Sequence, residues 1–148
     1  VVILAIECAS VTALPYLVDL VHRDMTVEQR PPEGGTVVFD DPNAADLNKA
    51  RMNWLTLLGL DVAGRRVLDV GAGVGHFSRF YANLGAAVVA VEGRRENVAV
   101  LRGRHPDIEA RVADVQRDDL SPLGRFEVVH CFGLLYHLDS PVMAMRRE

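Results

Sequence analysis

Three glycines stand on alternate positions directly after an apolar run that contains an aspartate. The stretch from Val67 to Arg79 reads VLDVGAGVGHFSR, with glycines at 71, 73 and 75. Glycine has no Cβ and adopts positive φ at low cost, so this run lets the chain turn sharply and lets a ligand approach the backbone. We therefore predict a ligand-binding loop, with a tight turn that binds nothing as the alternative.

The spacing of these glycines distinguishes between two kinds of ligand. A dinucleotide fingerprint needs its third glycine at position 76, where this chain has His76. The mismatch argues against a nicotinamide cofactor, although an oxidoreductase of that kind stays as an alternative function.

Carboxylates follow two further apolar runs. Glu92 ends VVAVE, and Asp114 follows IEARVA. A carboxylate at the end of a strand can accept hydrogen bonds from both hydroxyls of a ribose, which a neutral acceptor does more weakly. A solvated acid in a loop is the alternative for Glu92, and capping of a turn is the alternative for Asp114.

These residues lie within a regular alternation of strands and helices. Strands are predicted at RVLDV, AAVVAVE, IEARVAD and FEVVHCF, and helices at HFSRFYANLG and RRENVAVLRGRHP. The alternation indicates βαβ units, and hence an α/β fold with a parallel sheet. Ligands bind such sheets outside the carboxyl ends of the strands, where the glycines and both acids are placed.

Another helix is predicted before these strands, in DDPNAADLNKARMNWLTLLG. Asp41 followed by Pro42 is a helix start signal, and Gly59 supplies a stop. A stripe at helical spacing comprises Leu47, Arg51, Trp54, Leu55 and Leu58. We expect Trp54 to lie in the core, with a substrate-facing role as the alternative.

Together the motifs resemble those of class I S-adenosylmethionine-dependent methyltransferases, whose first motif reads acid-x-Gly-x-Gly-x-Gly. Here the acid is Asp69, and the resemblance covers roughly Phe39 to Glu148. Three further marks follow in the family's order: VAVEG, VADV and FEVVHCFGLLYHLDSP. The resemblance implies S-adenosyl-L-methionine as cofactor and a Rossmann-like parallel sheet with flanking helices, truncated after about four strands in the order 3-2-1-4.

The resemblance also implies which residues bind the cofactor. Glu92 would hold the ribose, Asp114 the adenine amino group, and the Val115 amide a ring nitrogen; Cys131 and Phe132 would lie beside the adenine and methionine parts. A buried, inert cysteine is the alternative for Cys131. The whole set comprises Asp69, Gly71, Ala72, Gly73, Gly75, His76, Glu92, Gly93, Asp114, Val115, Cys131 and Phe132.

Methyl transfer from a sulfonium requires few protein groups, because the methyl is already activated and the protein mainly aligns the nucleophile. A hydroxyl acceptor would benefit from a base of near-neutral pKa, and histidine suits that task. His137 is the candidate, with Tyr136 next; a structural histidine is the alternative. His130 should point elsewhere, because strand residues alternate.

Composition limits the partners. The 148-residue chain has a formal net charge of -4, which supplies no electrostatic footprint for nucleic acid or an anionic membrane, so we expect a small-molecule substrate. Two cysteines fit a reducing, cytoplasmic compartment. No metal site is predicted.

We expect residues 1–36 to form an N-terminal extension of unknown role, and residues 37–148 a methyltransferase domain incomplete at its C-terminus. The apolar first 22 residues are interrupted by Glu7, Pro15 and Asp19, which favours a buried strand and helix over a membrane segment. The fourth strand of the domain would then be an exposed edge, covered by a partner chain or by a missing C-terminal part. A scaffold module that needs such a partner is the main alternative function.

Overall fold

The computed structural model describes residues 2–6 and 37–141, in which five strands and three α-helices are present. The strands are β1 (Val2–Ile6), β2 (Arg66–Val70), β3 (Ala87–Glu92), β4 (Glu109–Val112) and β5 (Val128–Phe132). The α-helices are α1 (Pro42–Leu57), α2 (His76–Asn83) and α3 (Arg95–Arg104). Short 3-10 helices cover Val37–Asp40, Ser121–Leu123 and Leu135–His137.

All five strands are parallel and form one sheet in the order β1-β5-β2-β3-β4. Four of them lie in the predicted order 3-2-1-4, as β4-β3-β2-β5, which confirms the α/β, Rossmann-like fold class. Because the strands are parallel, their carboxyl ends meet at one edge of the sheet. That edge carries the glycine loop and both predicted acids.

The outer strand β1 corrects the prediction of an exposed fourth strand. β5 lies between β2 and β1, in a register that pairs Val128 with Val2 and Phe132 with Ile6. The edge of β5 is therefore covered by this chain, not by a partner. This strand, Val2–Ile6, comes from the predicted N-terminal extension. The rest of that extension lies outside the described residues.

The sheet separates two apolar clusters, as expected for strands buried on both faces. One packs under the three helices and contains Leu55, Tyr81, Val98 and Leu101. The other contains Val115, Phe126, Cys131 and Leu135, which come from β5 and the loops that follow β4 and β5. Among the described residues, the α-helices thus cover one face of the sheet and loop residues cover the other. No helix in this described part is long and apolar enough to cross a membrane.

Helix α1 begins as predicted but does not bury the predicted stripe. Asp41 caps it by accepting a hydrogen bond from the Asn43 amide at 2.8 Å, with Pro42 as the first helical residue. Only Leu55 of the stripe is buried, whereas Trp54 is 39% exposed and Leu58 is 62% exposed. The expectation that Trp54 lies in the core was wrong, because burial on α1 is confined to Leu55.

Candidate functional site

The glycine loop between β2 and α2 is fastened to the end of β3. The amides of Gly71 and Ala72 both donate to the Val91 carbonyl, at 2.8 and 3.1 Å. The Gly73 amide donates to Glu92 Oε2 at 3.0 Å. The loop therefore lies beside the carboxylate that follows the neighbouring strand, at the predicted ligand edge of the sheet.

Protein side chains pack closely against all three glycines. A Cβ on Gly71 would lie 3.1 Å from Leu134, and one on Gly73 would lie 2.7 Å from the Phe39 ring. At Gly75, where φ is +92°, a Cβ would meet Leu101 of α3 at 2.8 Å. Gly75 thus allows close packing of the loop against α3. Phe39 and Leu134 form apolar walls against the other two glycines.

The Asp69 side chain is buried beneath the glycine loop, where it contacts α2 and β5. The carboxylate is 1% exposed and accepts from Ser78 Oγ at 2.6 Å, while His130 Nδ1 lies 2.9 Å from its other oxygen. We call Asp69, Ser78 and His130 the buried cluster. The His130 side chain points into the core.

Glu92 is held by three N–H groups. Besides the Gly73 amide, the Arg94 amide donates to Oε1 at 2.9 Å, and Asn97 Nδ2 donates to the same oxygen at 3.2 Å. A carboxylate offers about four lone-pair positions, so one on Oε2 stays available to a ligand hydroxyl. The adjoining Gly93 is exposed at the same edge.

Asp114 makes the turn that was the alternative at this position. Its Oδ1 accepts from the Gln116 amide at 2.9 Å, and its own amide donates to Asp118 at 2.8 Å. Asp114 Oδ2 lies 3.6 Å from Arg117 Nε on the surface. The neighbouring Val115 is buried under the sheet. Gln116 joins this turn to the β5 loop by accepting from the Asp139 amide at 2.7 Å.

His76 contacts the chain segment before α1. Its Nε2 lies 3.1 Å from the Phe39 carbonyl and 3.4 Å from Asp40. Asp40 in turn accepts two hydrogen bonds from Arg104, at 2.9 and 2.5 Å. These bonds hold the pKa of the Asp40 carboxyl below its usual value. We call Asp40, His76 and Arg104 the rim cluster; it contacts the backbone carbonyl of Phe39, whose ring lies against Gly73.

The end of β5 directs its side chains into the core and its following loop toward solvent. Cys131 and Phe132 are 8% and 9% exposed, on opposite faces of the sheet. Phe132 packs on His130 and Phe77, with ring centroids 4.1 and 5.5 Å apart. Tyr136 is 67% exposed, and its ring centroid lies 4.2 Å from that of the exposed His137.

Sequence reasoning missed three residues that shape this site. Phe39 and Leu134 were not recognised because they are far from the glycine loop in the sequence. Contacts between such distant residues leave no repeating pattern of residue types. Asn97, which orients Glu92, is 1% exposed on α3. A buried polar residue within the apolar face of a helix is a signal that could have identified it.

A shallow depression of about 370 Å³ lies at the opposite edge of the sheet. It is lined by residues at the beginnings of β2, β3 and β4, among them Arg66, Ala87 and Glu109. The Arg79 side chain on its rim is already paired with Asp107. Because the glycine loop and Glu92 lie at the other end of the strands, this depression is not the candidate site.

Known proteins resemble most of this chain. The model of the family described as "Methyltransferase domain" matches residues 45–147. A ubiquinone biosynthesis O-methyltransferase of Xanthomonas oryzae pv. oryzae is 36% identical over 104 residues, which are 68% of this chain and 43% of that protein. The chain spans less than half the length of this curated relative.

Two solved structures share the fold. An S-adenosylmethionine-dependent methyltransferase from Mesorhizobium loti gives a TM-score of 0.57 at 25% identity, covering 68% of this chain and 48% of that one. The N-terminal domain of EvdMO1, crystallised with S-adenosylhomocysteine bound, gives a TM-score of 0.55 at 31% identity, covering 70% of this chain and 43% of that one.

Proposed function

The chain belongs to the methyltransferase domain family, and from this premise we propose that it binds S-adenosylmethionine at the glycine loop and transfers the methyl group to a small molecule. The observation that carries the proposal is the Gly73 amide bound to Glu92 at the carboxyl edge of a parallel sheet. This hydrogen bond places the glycine loop, where a ligand could come close to the backbone, beside a carboxylate that could accept a hydrogen bond from a ribose hydroxyl. The EvdMO1 domain, similar over the same region, binds the demethylated cofactor.

In this proposal Glu92 accepts a hydrogen bond from a ribose hydroxyl. Three N–H donors already fix its carboxylate, so the remaining acceptor position on Oε2 is oriented before the ligand arrives. Such an arrangement reduces the ordering cost of binding. Gly93, the next residue, leaves the backbone accessible beside the ribose.

The other contacts are assigned from position at the same edge. Gly71, Ala72 and Gly73 would meet the methionine part of the cofactor, between the Phe39 and Leu134 walls. Asp114 Oδ2 and the Val115 amide would meet the adenine. Phe132 and Cys131 would support this site from the core, where their side chains are buried.

Methyl transfer to a hydroxyl requires that the substrate oxygen be aligned with the methyl group and that a base take the hydroxyl proton. The bound cofactor supplies an activated methyl on a sulfonium. His137 would take the proton of an acceptor hydroxyl at its imidazole, with Tyr136 beside it as the second candidate. The oxygen acceptor is supported by the name of the O-methyltransferase relative. We place the reaction in the cytoplasm, which the two-cysteine composition supports.

Calorimetric titration of the purified chain with S-adenosylhomocysteine, and with NAD as the control ligand, tests the cofactor site. We expect micromolar binding of S-adenosylhomocysteine alone. Glu92→Ala should weaken this binding by about 1.5 to 3 kcal/mol, because a charged hydrogen bond to the ribose is lost. Unchanged affinity in that variant would remove the ribose assignment.

The matched control is Glu96→Ala. Glu96 is an exposed acid in the first turn of α3, close in sequence to Glu92 and of the same charge. Its removal should leave affinity unchanged. Binding without turnover of hydroxylated acceptors would favour the scaffold alternative, whereas preference for NAD would favour the oxidoreductase.

A further inference from the structure

The buried cluster places two ionisable side chains in the apolar core, and the proposed methyl transfer uses neither. Asp69, His130 and Ser78 are 1%, 2% and 0% exposed. Aromatic rings enclose the imidazole: its centroid lies 4.5 Å from that of Phe77 and 4.1 Å from that of Phe132. Burial of such groups is costly unless each is hydrogen-bonded.

The contacts of Asp69 determine which imidazole nitrogen carries a proton. Ser78 Oγ donates to Asp69 Oδ2, and His130 Nδ1 lies 2.9 Å from Oδ1. A carboxylate only accepts, so Nδ1 must be the donor. Nε2 is buried and has no hydrogen-bond partner within the described residues. A proton on Nε2 would be buried without an acceptor, so the geometry favours the tautomer that carries its proton on Nδ1.

The cluster joins the elements on both sides of the glycine loop. Asp69 stands in β2 two residues before Gly71, and Ser78 stands in the first turn of α2 after the loop. His130 lies directly across from Asp69 in the register of β2 and β5. Fixing these three residues therefore fixes where the loop leaves the sheet and where it enters the helix.

Stability alone is a weak reason for such a cluster, because apolar residues of similar volume often serve a core as well or better. Resting on the proposed function, we propose that His130 is a positioning residue for the cofactor: as the Nδ1–H tautomer it orients Asp69, which holds the β2–α2 turn where Gly71 to Gly73 meet the cofactor.

Two substitutions at one site separate positioning from packing. In His130→Asn the amide Nδ2 can replace Nδ1–H as a donor to Asp69, whereas His130→Leu fills space but donates nothing. Titration with S-adenosylhomocysteine should give an affinity within about threefold of the wild type for the asparagine variant, and a loss of at least about tenfold for the leucine variant.

The matched control is Val98→Ala, which removes volume from the same apolar cluster on α3 without touching the hydrogen bonds. It should be less stable toward urea yet bind normally. The proposal is overturned if affinity follows unfolding free energy across all three variants, or if the asparagine variant binds as weakly as the leucine variant. Should the leucine variant fail to fold, His130→Gln, whose donor is displaced by one methylene, replaces it.

Two readouts require no cofactor. Imidazole ¹⁵N shifts of the wild-type chain should show a protonated Nδ1 and a bare Nε2; the opposite tautomer would overturn the proposal. Amide exchange at Gly73 should be faster in the leucine variant than in Val98→Ala. If the wild type binds no S-adenosylhomocysteine but both readouts hold, the proposed function fails while the positioning of the loop stands.

Discussion

Two clusters of similar composition hold the glycine loop, one from the core and one from the surface. Each contains an aspartate that accepts hydrogen bonds, a histidine and one further donor: Asp69, His130 and Ser78 below, and Asp40, His76 and Arg104 above. The side chains of Asp69 and His130 are 2% exposed, whereas those of Asp40 and Arg104 are 41% and 40% exposed.

Access to water gives the two clusters different roles. A carboxylate in the core has no replacement for a lost partner, so the buried cluster is rigid and expensive to break. A carboxylate on the rim exchanges its arginine for water at little cost, and salt screens the pair. The buried cluster can therefore define the loop, while the rim cluster can hold Phe39 against it and still release it.

The largest expected difference comes from removing each aspartate. Asp69→Ala should lower the free energy of unfolding by about 3 to 5 kcal/mol, because it leaves His130 and Ser78 buried without their acceptor. Asp40→Ala should have a much smaller effect. Urea denaturation of both variants measures the contrast. Similar losses in the two would refute the distinction between core and rim.

Adding a methyl group to two glycines of the loop tests the same contrast through packing. Gly75→Ala drives a Cβ into Leu101, which is fully buried, whereas Gly73→Ala drives one into the half-buried Phe39 ring. In both variants the alanine must adopt a left-handed backbone conformation, which should lower the free energy of unfolding by about 1 to 2 kcal/mol. Only Gly75→Ala adds a full overpacking cost of about 1 to 3 kcal/mol, so it should be the less stable variant.

Repeating Gly73→Ala in a chain that also carries Phe39→Ala tests whether the Phe39 ring can move away from the added methyl group. In Phe39→Ala the cost of Gly73→Ala should fall to the conformational part alone, and thermal denaturation of the four proteins completes a double-mutant cycle. Additive effects would show that the ring already moves freely. A large coupling energy would show that the rim cluster holds the ring rigidly.

Sequence patterns predicted the framework of the site well. The strands follow from runs of apolar residues, and the start of α1 follows from Asp41 and Pro42; the structure has β2 at Arg66–Val70 and α1 beginning at Pro42. These features are local, since each depends on neighbours within one or two turns. Glu92 beside the glycine loop follows from the same pattern, because parallel strands end at one edge.

The direction of side chains could not be predicted in the same way. Asp69 was assigned to the ligand and Gly75 to the ligand surface, yet the first bonds β5 and α2, and the second packs on α3. Both contacts join segments far apart in the chain. Likewise, β1 beside β5 depends on which strand reaches an open edge, and no local pattern states that.

A smaller, pH-dependent effect is expected from His105, which lies beside Gly75. Burial, and then the nearby Arg79 charge, lower the pKa of the imidazole below its usual value. A depressed folded-state pKa means that the stabilisation is present above about pH 6.5, the usual histidine value, and is lost as pH falls through the folded value. Unfolding free energy should decline between pH 7 and 5 in the wild type, and less in His105→Asn, in which the carbonyl can still accept from Arg79.

The smallest effect separates the rim cluster from an ordinary surface ion pair. Asp40 and Asp107 each pair with an arginine, and in each the hydrogen bond to that arginine is the main cause of a lowered pKa. Each pair therefore stabilises the chain above about pH 4 and loses that effect as pH falls further. Asp40→Asn and Asp107→Asn should thus behave alike in acid denaturation.

Only Asp40→Asn loosens the Phe39 wall, so S-adenosylhomocysteine should bind it about threefold more weakly at low salt. That difference should shrink at 1 M salt, where the wild-type pair is screened as well. Equal affinities at low salt would mean that Phe39 stays on Gly73 without the cluster.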